Sequence, residues 1–334
     1  MKLIRNISFP FVPVYYAITS LRNRLYDSGI KKSILYSFPV ICVGNLSVGG
    51  TGKTPMIEYL IDLLKDDCKV ATLSRGYKRR TKGFQLANEF STAESIGDEP
   101  FQFYNKFRND ILVAVDADRA NGIKQLKQLD NAPKVILLDD AFQHRKVKAG
   151  LNILLTTHSN PYFSDYVLPT GNLREPRSGA KRADIIVVTK CPDNFSNEAQ
   201  SDFLKKIAPE AHQQVFFSSI NYSNAIISSE SKKSLDAVTN FTLVTGIANA
   251  NPLVEFLNKK GLQFEHLNFK DHYEFTQQDI LVLEKKELII TTEKDFMRLK
   301  QHETLKDKLF YLPITVTISN APILNKLIKD FAAC

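Results

Sequence analysis

The chain has 334 residues, 43% apolar and 24% charged, with 14 Gly and 14 Pro scattered along it. Those proportions exclude collagenous and low-complexity classes and supply enough chain for about two domains. The formal net charge of +8 suits nucleic acid, an anionic membrane or a phosphorylated substrate, and does not choose among them. Four cysteines, at 42, 68, 191 and 334, show neither metal-ligand spacing nor a disulfide pattern, which fits a reducing compartment.

Residues 7–21 read ISFPFVPVYYAITSL, flanked by Lys2 and Arg5 before and by Arg22 and Arg24 after. The run is too short for a comfortable transmembrane helix, and no small-residue cleavage site follows it. It reads as an interfacial element: Phe9, Phe11, Val12, Val14, Tyr15 and Tyr16 enter a headgroup zone and the basic flanks meet anionic lipid.

Residues 39–44 form a short apolar strand, and residues 55–65 follow with the apolar spacing of a helix. Between them lies GNLSVGGTGKTP, residues 44–55. Gly49, Gly50 and Gly52 relieve crowding, so backbone N–H groups of Ser47, Val48 and Thr51 and of the glycines can face phosphate oxygens at a helix N-terminus. Lys53 reaches the β- and γ-phosphates and Thr54 offers its hydroxyl to Mg²⁺. This is a P-loop in which Ser47 stands where the usual pattern has Gly. Gly44 relieves crowding at the end of the strand. The bound nucleotide is expected to be ATP.

Further strands are expected at 69–74, 111–115, 134–138, 151–156, 184–189 and 214–220, with a helix at 119–129. Short Val/Ile/Leu-rich strands alternating with helices indicate a mostly parallel α/β sheet covered on both faces, with ligands at the carboxyl ends of the strands. The strand at 134–138 leads into Asp139 and Asp140, a Walker B arrangement in which two adjacent carboxylates repel and a cation relieves them. Guanine specificity is disfavoured, because Thr189, Lys190, Cys191, Pro192 places Pro where an N-K-x-D element needs Asp.

A polar stretch at 221–238 reads as a linker or hairpin. A strand at 241–245 then begins a smaller α/β unit that runs through 262–267 and 287–291 and closes at 309–319. The expected division is a P-loop domain, 1–225, whose first 30 or so residues contact membrane, and a smaller domain, 226–334, that closes the cleft. Three polar clusters remain: SIGDEP at 95–100, DYVLPTGNLREPRS at 165–178 and FKDHYE at 269–274. A transferase needs a base and an anion clamp. Asp98 and His272 are the base candidates, with Asp98 either orienting His272 or taking the proton itself. Arg174 and Arg177 could clamp phosphate.

In order along the chain, GNLSVGGTGKTP, LSRGYKR (73–79), GDEP (97–100), DRANG (118–122), LLDDAFQHR (137–145), PTGNLREP (169–176), KDHY (270–273) and TTEKDFMRL (291–299) resemble the tetraacyldisaccharide 4'-kinase family over nearly the whole chain. The resemblance implies transfer of the ATP γ-phosphate to the 4'-hydroxyl of a tetraacyl glucosamine disaccharide 1-phosphate, giving lipid IVA in lipid A biosynthesis. It implies a peripheral enzyme at the cytoplasmic face of a Gram-negative inner membrane, docked by its N-terminal segment, with no nucleic acid and no obligate protein partner. The family's base dyad falls on Asp98 and His272. Its Mg²⁺ and nucleotide region falls on Thr54, Glu99, Asp139 and Asp140, and substrate contacts are expected at Arg75, Arg119, Gln143, Asn172 and Arg174. One departure is Ala141, where the family usually has Gly; a positive φ there would cost backbone energy. The rival expectations are a P-loop kinase for a small molecule and a nucleotide-dependent switch.

Overall fold

The computed structural model describes residues 9–271 and 273–333. Lys2, Arg5, His272 and Cys334 therefore lie outside the described residues. In chain order the strands are β1 (Ile34–Leu35), β2 (Val40–Asn45), β3 (Val70–Ser74), β4 (Gln85–Leu86), β5 (Ile111–Val115), β6 (Val135–Asp139), β7 (Val147–Lys148), β8 (Leu151–Thr157), β9 (Ile185–Thr189) and β10 (Gln214–Tyr222). β11 (Ala225–Ile227), β12 (Lys232–Ser234), β13 (Asn240–Thr245), β14 (Gln263–Asn268), β15 (Ile289–Thr291), β16 (Leu309–Tyr311) and β17 (Ile314–Ile318) complete the set.

The larger sheet has the order β17-β10-β9-β8-β2-β6-β3-β5-β4. Every pairing from β10 through to β5 is parallel. β2, β3, β6 and β9 are buried along their whole length, which explains their unbroken apolar runs. One face packs Met56, Ile57, Leu60 and Ile61 of helix Lys53–Leu64 with Phe103 and Phe107 of helix Asp98–Phe107. The other packs Ile123 and Leu126 of helix Arg119–Lys127 with Phe142, and carries Val12 and Tyr15 of the N-terminal helix Val12–Asp27 at its margin. The expected covered parallel sheet is thus the observed one.

The smaller sheet has the order β12-β11-β16-β15-β13-β14. Its β13, β14, β15 and β16 are mutually parallel, and the polar stretch after β10 becomes the antiparallel β11–β12 hairpin. The expected single division at residue 225 does not match these sheets. After β16 the chain returns, and β17 pairs antiparallel with β10 in the larger sheet. Helix Ala321–Ala332 then packs Leu324 and Ile328 against the P-loop helix face, where Asn325 Oδ1 accepts from Tyr59 Oη at 2.5 Å. A half-buried edge strand alternates apolar and polar residues whichever sheet it joins, so its sequence pattern does not report its partner. The smaller unit is therefore an insertion between β10 and β17.

Cys42 and Cys191 are free and buried.

Candidate active site

β2 delivers the P-loop from the middle of the larger sheet. A Cβ on Gly44 would stand 2.6 Å from Phe142 Cβ, so glycine lets the loop after β6 lie against the strand. Gly49 (φ 108°) and Gly52 (φ 88°) adopt the left-handed region that favours glycine, and Gly52 caps helix Lys53–Leu64. Ser47 does not take a positive φ; it is buried and bridges to Leu173, so the missing glycine costs no backbone strain there. Pro55 in the first helical turn occupies a position whose N–H would have no helical partner.

Two other loops hold this one. Val48 N donates to Asn172 O at 2.8 Å and Arg174 N to Leu46 O at 2.7 Å. From the end of β9, Thr189 Oγ1 donates to Thr51 O at 2.8 Å and Lys190 Nζ to Gly50 O at 2.7 Å. Asn45 Nδ2 donates to Thr51 Oγ1 at 2.8 Å. Thr189 and Lys190, which fail as a guanine-reading element, act as a clasp on the phosphate loop. A polar pair directly after an apolar strand adjoining the P-loop region is the only sequence signal for it.

β6 ends at Asp139, which is 7% exposed and accepts from Ser74 Oγ at 3.2 Å. Burial, reinforced by Asp140 and by Glu99, pushes its pKa up to about 6 against the attraction of Lys53 and Arg119. Asp140 takes φ 48°, a conformation that Asp tolerates better than most residues. That assigns the left-handed position to Asp140 and leaves Ala141, which has no positive φ, harmless and buried. Burial also works to raise Asp140, but Lys53 and Arg174 outweigh it and hold the carboxyl below its ordinary range. Lys53 Nζ lies 3.6 Å from Asp140 Oδ1.

Asp98 opens helix Asp98–Phe107, with Glu99 beside it, so both acids meet the positive end of the helix. Gly97 before it has φ 97°, and a Cβ there would press on Gly76 and Tyr77 backbone at 3.2 Å. Arg298, on helix Glu293–Leu299 of the smaller unit, donates from Nη2 to Asp98 Oδ2. Sequence reasoning missed Arg298 within TTEKDFMRL. Lys294, one turn earlier, lies 4.0 Å from Glu99 and 3.4 Å from Asp271.

The remaining expected site residues divide. Arg174 reaches Asp140, and Arg75 is exposed beyond the end of β3. Arg119 is only 2% exposed; Nη1 donates to Asp116 O and Nη2 to Asp139 O, so it supports the Asp139 backbone and its expected substrate contact is corrected. Gln143 Nε2 donates to Asn45 O and Glu175 Oε1, and Asn172 Nδ2 to Asp165, which makes both loop braces. Arg177 donates to Asp165 O and stacks over Tyr166, away from Asp140. Glu175, almost wholly buried, accepts from Asn23, Gln143 and Arg182, tying the N-terminal helix to the site. Among the described residues no group of three or more His, Cys, Asp or Glu side chains stands ready to hold an ion.

The N-terminal helix lays Tyr15 Oη on Arg174 O at 2.9 Å. Its Val14, Tyr15 and Ile18, with Phe11 just before it, line an open apolar groove with Leu168 and Pro169. Among the described residues no helix is long and apolar enough to cross a membrane.

A family model described as Tetraacyldisaccharide-1-P 4'-kinase matches residues 4–332. The chain is 53% identical over 325 residues to the tetraacyldisaccharide 4'-kinase of Flavobacterium johnsoniae, covering 96% of this chain and 94% of that one. It is 44% identical over 331 residues to the one from Bacteroides fragilis, covering 93% and 88%. A crystal structure of LpxK from Aquifex aeolicus in complex with ATP superposes with a TM-score of 0.80 at 33% identity, covering 98% of this chain and 99% of that one.

Proposed function

The chain belongs to the tetraacyldisaccharide 4'-kinase family, and on that premise we propose that it transfers the γ-phosphate of ATP to the 4'-hydroxyl of tetraacyldisaccharide 1-phosphate, forming lipid IVA. The observation that carries the reading is the convergence of Lys53, at 3.6 Å, and Arg174, at 2.8 Å, on Asp140 at the mouth of the P-loop.

ATP lies with its phosphates on residues 47–54. Asp139 and Thr54 would hold Mg²⁺. The fit rests on Asp139, a carboxyl buried at the end of β6 and raised by that burial first and by Asp140 and Glu99 after it, for which a cation is the natural relief. Mg²⁺ commonly needs one or two carboxylates besides phosphate oxygens and water, so a larger acid cluster is not required. When bound, Mg²⁺ neutralises charge on the β- and γ-phosphates.

Asp98, supported by His272, accepts the 4'-hydroxyl proton while the sugar oxygen bonds to the γ-phosphorus and the bond to the ADP oxygen breaks. Lys53 stabilises charge on the transferring group. Arg174 meets the anionic acceptor. The inserted smaller unit covers the cleft and excludes water, limiting ATP hydrolysis. The exposed apolar face of helix Val12–Asp27, with the groove it forms against Leu168 and Pro169, rests on the cytoplasmic leaflet of the inner membrane.

The test is transfer of labelled γ-phosphate to purified tetraacyldisaccharide 1-phosphate in detergent with Mg²⁺. Labelled lipid that is lost in Lys53→Ala is the expected result. Nucleotide binding without labelled lipid would move the assignment to another acceptor.

A further inference from the structure

We infer that Arg298 is a positioning residue that holds Asp98 of the larger unit against the backbone following His272 in the smaller one. The inference rests on the reading of Asp98 as the proton acceptor. The two residues are 200 positions apart, and their ion pair spans the two units. Nη2 of Arg298 donates to Asp98, while Nη1 points to Tyr273 O at 3.4 Å and lies 3.4 Å from Asp295 Oδ1. One planar guanidinium thus touches the acid and the residue next to His272.

The arginine is itself held. Asp295 is fully buried and accepts from Gly246 N at 2.8 Å and Thr292 Oγ1 at 2.8 Å. A Cβ on Gly246 would stand 3.0 Å from Asp295 Oδ1, so the turn after β13 closes tightly on this carboxylate. The helices on either side are in fixed register: Lys300 Nζ donates to Asn105 Oδ1 at 2.6 Å, Lys106 Nζ lies 3.7 Å from Glu293, and Phe101 packs into the core of the smaller unit. Around the pair stand Glu99, Lys294 and Asp271 in addition to Asp295. Placing a base within its working distance is a task in which about 1 Å of error costs ~100-fold in rate.

The experiment is a kinetic double-mutant cycle on the full chain with Mg-ATP and the lipid acceptor. Arg298→Ala should lower kcat ~10- to 100-fold with KM for ATP held within ~3-fold, and Arg298→Lys should recover part of the loss. Added to Asp98→Ala, Arg298→Ala should cost less than ~3-fold further, because its effect passes through Asp98. Independent, multiplying losses, or a wild-type kcat in Arg298→Ala, would overturn the inference. If Arg298→Ala does not fold, Arg298→Gln keeps the stem without the charge, and a wild-type kcat there overturns it equally. Asp98→Ala with undiminished turnover would sink the base assignment itself, whatever Arg298 does.

Discussion

Arg174 Nη1 stands 2.8 Å from Asp140 Oδ1 and 2.9 Å from Asp140 Oδ2. One nitrogen serves both oxygens, so the rest of the guanidinium fork stays open to a second anion. The Arg174 backbone is fixed separately, through its N–H to Leu46 O and its carbonyl to Tyr15 Oη. Arg174→Ala therefore removes the charge and leaves the loop in place. Steady-state kinetics should show KM for the lipid raised ~10-fold, the worth of one charge-assisted contact, with little change in KM for ATP. An unchanged lipid KM would remove Arg174 from the acceptor site.

The clasp at the end of β9 predicts an effect on nucleotide affinity. Lys190 Nζ to Gly50 O and Thr189 Oγ1 to Thr51 O fix the two residues that precede Gly52. Removing one such bond forfeits ~1 kcal/mol of loop order, or about 5-fold in affinity. Lys190→Ala and Thr189→Val should each weaken ATP binding by that factor in calorimetric titrations. Affinity equal to wild type in both would show that the loop holds its shape unaided.

Glu293 predicts a pH effect on stability. Lys106 Nζ lies 2.7 Å from Glu58 and 3.7 Å from Glu293, one ammonium for two buried carboxyls. Burial first and Glu58 second push Glu293 up to about 7, against the attraction of Lys106. The folded pKa stands above the ordinary 4.5, so the folded state binds this proton more tightly than the unfolded state. Its contribution is present below 4.5 and is lost as pH rises through about 7. Glu293→Gln removes that loss. Its advantage in melting temperature should grow from about pH 5 to about pH 8, up to a limit of ~3 kcal/mol. An advantage independent of pH would place the titration elsewhere.

Much of this site was legible because its residues are consecutive. The P-loop, Asp139 and Asp140 sit at the ends of buried strands, where an apolar run followed by a polar motif marks both the element and its mouth. Ala141 was the doubtful position by resemblance, and the backbone resolves it: Asp140 carries the positive φ. What could not be read is long-range pairing. Nothing local in MRL, at 297–299, indicates that Arg298 meets Asp98, or that β17 leaves the sheet it follows in sequence. Arg119 misled for a related reason. A basic residue in a recognisable motif looks like a substrate contact until its burial beneath Asp139 is known.

Gly44 predicts a packing effect. The 2.6 Å approach to Phe142 Cβ involves a core side chain held between β2 and the loop after β6, not a mobile side-chain end. Gly44→Ala should cost ~1–3 kcal/mol by overpacking, and should displace Asp139 and Asp140 with the loop. Urea titration would measure the first effect and ATP titration the second. Ala141→Gly, by contrast, gains nothing at a position without positive φ and loses a buried methyl, so it should destabilise by ~1 kcal/mol.

The N-terminal helix supplies the last prediction. Phe11 is 66% and Ile18 62% exposed, and with Val14 they line one groove beside Leu168 and Pro169. Asn23 on the same helix is buried against Glu175, so one part of the helix is anchored while another presents apolar surface. Replacing Phe11 and Ile18 together by Ser removes apolar area and leaves that anchor intact. Partition onto vesicles containing anionic lipid should weaken by ~2–3 kcal/mol, roughly a 30- to 160-fold loss, with ATP affinity unchanged. Turnover should fall on vesicle-embedded acceptor more than on acceptor in detergent, because only the former requires docking. Equal losses in both media would instead make this face part of the acyl-chain site, and undiminished partition would mean that other surfaces carry the membrane contact.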